Sequence, residues 1–124
     1  MNAGTAKRLL LVDDNLTSIR LLENVLSDRR RYEIVGRAAN GAEAIRMFQA
    51  HKPDVVLLDI VMPVMDGLQA LRMIMQLNPQ AKVVMVSSVA GVGDNANEAL
   101  RLGARGLVSK PCKPDEIHKL LESI

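Results

Sequence analysis

Aromatic residues are nearly missing from this chain. It has one tyrosine, Tyr32, one phenylalanine, Phe48, and no tryptophan in 124 residues. Surfaces that hold single-stranded nucleic acid stack bases on aromatic rings, and a net charge of +2 is too small to replace them with electrostatics. Direct nucleic-acid binding is therefore not expected, and no helix-turn-helix is visible. The single cysteine, Cys112, excludes an internal disulfide framework and fits a reducing cytoplasm. No apolar run approaches a membrane span, and the first residues lack the apolar core of a signal peptide, so no membrane insertion is expected. Neither glycine-rich phosphate-cradling pattern occurs. What is present is ordinary for a globular protein: 48% hydrophobic and 24% charged residues. The length suits one domain over residues 1–124, ordered from about residue 7, with a core of Leu, Val, Ile, Met and Ala.

The hydrophobic pattern alternates between short continuous runs and helical periodicity. Arg8–Val12, Asp54–Asp59 and Ala81–Val86 read as strands buried on both faces, as in a parallel sheet. Tyr32–Ala38 is a weaker strand, expected at an edge, and Gly106–Ser109 is the fifth. Between them lie five helical patterns. The first is marked inward by Leu16, Ile19, Leu22, Val25 and Leu26, with Asp14 or Asn15 as its cap and an arginine run, Arg29–Arg31, at its close. The second is marked by Ala42, Ile45 and Phe48, and the third by Leu68, Leu71, Ile74 and Met75. The fourth follows a glycine-rich loop over 90–95, with Ala96, Ala99 and Leu100 inward. The fifth opens at Pro114 and buries Ile117, Leu120, Leu121 and Ile124. Met65, Met73 and Met75 are read as core filler, and His51 as a surface residue. Strict alternation demands an α/β fold: a doubly wound parallel sheet with helices on both faces and right-handed crossovers.

The polar residues are not scattered over these strands. The first ends in Asp13-Asp14, the third in Asp59, the fourth in Ser87 and the fifth in Lys110. All five fall at the C-terminal edge, where open α/β sheets hold their ligands. Three carboxylates gathered there repel one another. A hard divalent cation such as Mg²⁺ removes that cost, and Lys110 adds a fixed positive charge. A cation, a lysine, a hydroxyl and a free carboxylate form a site for a phosphoryl group. Its transfer needs positioning and charge neutralisation, and a carboxylate can be the nucleophile.

From Arg8 to Ile124 the sequence resembles the receiver domains of two-component response regulators, chemotaxis regulators among them. Leu11-Val12-Asp13-Asp14, the run from Asp59 to Gly67, Val86-Ser87-Ser88 and Ser109-Lys110-Pro111 carry the likeness. The resemblance implies a (βα)5 flavodoxin-like fold with strand order 2-1-3-4-5. It also implies a phosphoacceptor switch rather than an enzyme with its own substrate. Asp59 would accept the phosphoryl group from a phosphohistidine on a sensor histidine kinase or phosphotransfer protein. Asp13, Asp14, Asp59 and the carbonyl of Val61 would hold Mg²⁺. Lys110 would pair with Asp59 or its phosphoryl group, and Ser87 would move toward it. Lys110-Pro111 would be a cis peptide. The face built from the last two helices and last strand, presenting residues such as Asn95, Asn97, Glu98, Arg101, Arg105, His118 and Lys119, would regulate a downstream protein target.

Three departures from the receiver pattern stand out. Leu107 replaces the usual aromatic switch residue three positions before the lysine. The segment 88–93 is a residue or so longer than in the shortest chemotaxis receivers, which leans toward the receivers of chemotaxis methylesterases. Val61 and Val89 are apolar where many receivers orient an attacking water, so self-dephosphorylation is expected to be slow. Two other readings compete. One is a receiver-like binding or dimerisation module that is never phosphorylated. The other is a small aspartyl phosphatase of the haloacid dehalogenase type, whose D-x-D motif is missing here. Cys112 is expected to be structural.

Overall fold

The computed structural model of the chain describes residues 6–60, 62, 65–87, 93–110 and 113–124, without the side chains of 93–95. Five strands alternate with five helices. The strands are β1 (Lys7–Val12), β2 (Tyr32–Ala38), β3 (Val55–Asp59), β4 (Val83–Ser87) and β5 (Gly106–Ser109). The helices are α1 (Leu16–Val25), α2 (Gly41–His51), α3 (Gly67–Leu77), α4 (Gly93–Arg101) and α5 (Pro114–Ser123). All pairings are parallel and the order is β2-β1-β3-β4-β5. This is the flavodoxin-like order expected from the resemblance. β2 is an edge strand, as its weaker pattern predicted, and its pairing with β1 slips by one residue between Leu9 and Leu10.

The continuous apolar runs are explained by the two faces they serve. On one side Leu10, Val12, Val56 and Leu58 pack with Ala44 and Phe48 of α2, Leu71 and Ile74 of α3 and Ala99 of α4. On the other, Leu9, Leu11, Val55, Leu57 and Val86 pack with Ile19 and Leu22 of α1 and Ile117 and Leu121 of α5. Successive strand residues point to opposite faces, so a strand covered on both sides has no polar position until it ends. Each fully buried leucine adds about 2 kcal/mol of hydrophobic stabilisation.

Helix ends are set by short polar caps. The Asn15 side chain accepts from Ser18 N and starts α1; Asn40 does the same for α2 through Glu43 N. Asp66 and Gln69 form a reciprocal capping box at α3. Several expected inward positions are corrected. Leu16 is 61% exposed because the buried stripe Ile19–Leu22–Leu26 begins one turn later. Leu100 is 50% exposed because neighbouring Ala99 takes the inward direction, about 100° away on a helix. Ala42 is exposed because α2 turns Gly41, Ala44 and Phe48 inward. Met73 is exposed, so the methionine filler reduces to Met65 and Met75. α4 begins at Gly93, inside the stretch read as a loop. The arginines Arg29–Arg31 lie beyond the last turn of α1, which has no basic residue there.

Candidate functional site

The strands deliver their polar ends to one place. Register sets Asp59 beside Val86 and Ser87 beside Ser109. The chain leaves β1 through Asp13, whose N–H donates to the carbonyl of Ala38 at 3.0 Å. It leaves β5 through Lys110, whose N–H donates to the carbonyl of Ser87 at 2.8 Å. The backbone of four strand ends is thus pinned before any side chain is considered. Gly67 completes the frame. A Cβ there would lie 2.0 Å from the carbonyl oxygen of Asp59, so α3 can start against this strand end only through glycine.

Asp13 and Asp59 are buried, at 4% and 5% exposure, and Ser87 is at 9%; Asp14 is exposed. Lys110 Nζ lies 2.5 Å from Asp13 Oδ2 and 3.1 Å from Asp59 Oδ2. The other oxygen of Asp13 accepts from Asn15 N at 2.9 Å. Asp13 therefore joins the lysine to the turn that starts α1. Burial works against the Lys110 ammonium, but its hydrogen bonds to Asp13 and Asp59 outweigh it and hold its pKa above the ordinary lysine value.

Asp13, Asp14 and Asp59 each offer an oxygen within 4.8 Å of the others. Three carboxylates meet one ammonium, which leaves a surplus of two negative charges among the described residues. Two like charges about 4 Å apart at an effective dielectric near 20 repel by about 4 kcal/mol. The donors are all hard oxygens, the set Mg²⁺ takes, and its charge equals the surplus. The residues present fit that ion.

The five residues singled out by the sequence, Asp13, Asp14, Asp59, Ser87 and Lys110, thus come to one edge. The readings placed on Val61, Val89, Pro111 and Cys112 lie outside the described residues. Leu107 is partly buried against the core that α2, α3 and α4 share. Sequence reasoning missed Asn15 and Gly67 as members of the site. The Asn15 turn follows directly on the acid pair, and Asp66-Gly67 is itself a turn signal.

A sequence model described as the response regulator receiver domain matches residues 9–122. The chain belongs to that family. As a receiver it is 40% identical to the chemotaxis protein CheY of Listeria monocytogenes over 115 residues, 93% of this chain and 95% of that protein. Its fold matches the crystal structure of the CheX–CheY–BeF3–Mg²⁺ complex of Borrelia burgdorferi with a TM-score of 0.90. That match has 30% identity and covers 97% of this chain and 90% of the other. It also matches the response regulator domain of Thermotoga maritima CheB, with a TM-score of 0.85, 33% identity and coverage of 94% and 95%. Receivers are phosphoacceptor switches of two-component signalling with Mg²⁺ at an acidic pocket, and this receiver carries such a pocket. It has the chemotaxis character expected from its motifs. Among the described residues no helix is long and apolar enough to cross a membrane.

Proposed function

We propose that this chain works as a single receiver unit in the cytoplasm and that Asp59 accepts a phosphoryl group from a phosphohistidine. The donor is a sensor histidine kinase or a phosphotransfer protein. The observation that carries this reading is Lys110 bridging Asp13 and Asp59 beside Asp14, a cation-deficient acid pocket at a strand edge. Asp59 attacks through a carboxylate oxygen. An O–P bond forms, the P–N bond to the donor imidazole breaks, and the ring nitrogen keeps the electron pair. Asp13, Asp14 and Asp59 would hold Mg²⁺, with the Val61 carbonyl as a further ligand. Bound there, the ion supplies positive charge for the phosphoryl oxygens.

Lys110 already stands at hydrogen-bond distance from Asp59 and neutralises charge on the product. Ser87 lies one residue beyond the strand partner of Asp59, which supports the reading that it follows the new group. Its movement, with repacking of Leu107, biases the face made of α4, β5 and α5 between two packings that a downstream protein reads. The Borrelia CheY is recorded with CheX, and a target of that kind fits a chemotaxis-type receiver. Val61 and Val89 favour a long-lived aspartyl phosphate; decay of radiolabel within seconds contradicts that part.

The test is ¹⁹F NMR of beryllofluoride with Mg²⁺. Wild type gives a bound signal that needs both Mg²⁺ and Asp59, and a beryllofluoride-loaded chain captures a protein target that the unloaded chain leaves behind. A wild type silent to beryllofluoride favours a binding module that is never phosphorylated.

A further inference from the structure

The opposite edge of the sheet has its own regularity: a cation stands at or shortly before the start of every strand. Lys7 and Arg8 open β1, Arg31 precedes β2, Lys52 lies shortly before β3, Lys82 precedes β4 and Arg105 precedes β5. Some of these charges are spent within the fold. Lys7 Nζ donates to the carbonyls of Leu121 and Ile124, and Arg8 donates to the carbonyl of Lys52. The Asp54 carboxylate accepts from Arg8 N at 2.8 Å, and Glu122 pairs with Arg31. Among the described residues no ion pair involves Lys52 or Lys82.

Between these two lysines the surface is hollow. A cavity of about 360 Å³ is lined by Lys7, Lys82, Asp54, Gln80 and Asn78, and a second of about 530 Å³ by Lys52 and Leu77. They share Phe48, Pro53 and Asn78 as a common wall and so lie side by side as one two-part groove. Leu77 is 47% exposed, an apolar side chain of α3 facing water next to the lysines. Lys52 is the one non-glycine residue with positive φ, +48°, among those described. L-residues adopt that conformation at a cost, and here the Arg8 hydrogen bond holds its carbonyl. Burial and then the nearby Lys82 ammonium hold the Lys7 pKa below its ordinary value, against the opposing pull of the Asp54 and Glu122 carboxylates.

We propose that this groove docks an acidic peptide segment of a partner protein. Its carboxylates meet Lys52 and Lys82, and one aliphatic side chain rests on Pro53 and Leu77. Three lysines against the single carboxylate of Asp54 leave the two hollows net positive and select an anionic occupant, and the exposed leucine selects one with an apolar anchor. A nucleic acid would lack that anchor and would find no exposed ring to stack on. A bilayer would need more apolar surface than one leucine and one proline. The surface lies at the far end of the strands from Asp59, so it can be occupied without blocking phosphoryl transfer.

The test is a ¹H–¹⁵N titration of the full chain with a synthetic pentapeptide of four glutamates around a central leucine. Saturable shifts are expected at Lys52, Asp54, Asn78, Gln80 and Lys82. Lys52→Glu with Lys82→Glu is expected to weaken binding about tenfold or more, as is Leu77→Ser. The same spectra report whether each variant stays folded. Absence of shifts, shifts elsewhere, or undiminished binding in both variants overturns the proposal. So does equal or tighter binding of oligo-dT or of phosphatidylserine vesicles, which would mean that the surface reads charge or bilayer rather than a peptide.

Discussion

The two edges of one sheet carry opposite chemistry on the same scaffold. At the C-terminal edge three carboxylates cluster, and the two that pair with Lys110 are buried. At the N-terminal edge a cation stands at or shortly before the start of every strand; Lys7 is half-buried against the carbonyls of Leu121 and Ile124, while the Arg31–Glu122 pair lies at the surface. Burial makes the difference. Charges brought together out of water need a partner of the other sign and hold a site in tension, whereas solvated charges cost little and bind by long-range attraction. Substitutions at the first edge should therefore move stability and chemistry together; those at the second should move only association.

The largest effect is expected from Gly67→Ala. The added methyl would meet the Asp59 carbonyl at 2.0 Å, and forcing β3 and α3 apart should cost about 3 kcal/mol or more. Urea unfolding measures it; a loss below about 1 kcal/mol would mean that the strand end yields easily.

Lys110→Met removes the cation that, among the described residues, is bonded to both buried acids. A fully buried pair broken in this way costs about 3–5 kcal/mol. With the lysine side chain 18% exposed, water recovers part of this and about 2 kcal/mol is expected. Added Mg²⁺ should shrink the loss. A loss that Mg²⁺ leaves unchanged would break the view that the lysine and the ion relieve the same repulsion.

Asp14→Asn should do the reverse. It removes one of three clustered carboxylates, so the metal-free protein should gain about 0.5 kcal/mol, while Mg²⁺ affinity falls about tenfold by calorimetric titration. At the other edge, Lys82→Glu should change stability by no more than about 0.5 kcal/mol and leave phosphoryl acceptance intact. A large change in either would end the division between the edges.

The fold was legible because the inner strands β1, β3 and β4 are buried on both faces over 9–12, 55–59 and 83–87 and run apolar until they end, while β2, with Glu33 and Arg37 exposed, gave the weaker pattern of an edge. For the same reason the site was legible: Asp13, Asp59, Ser87 and Lys110 are polar only where the strands stop. What could not be read depends on distance along a helix or across the sheet. Leu16 and Leu100 have the right spacing for burial, but one sits at a helix end and the other beside an alanine that takes its place. Met73 belongs to an apolar stripe wider than the core it meets. The partners of Arg31 and Lys7 on α5, Glu122 and Leu121, are far away in the chain, and no local pattern announces them.

Phosphoryl acceptance is measured most directly by intact mass after incubation with acetyl phosphate, with and without Mg²⁺. Wild type should gain one phosphate only when Mg²⁺ is present, and Asp59→Asn should gain none. A wild type that stays unmodified with Mg²⁺, or an Asp59→Asn variant that is modified to the same extent, contradicts the account.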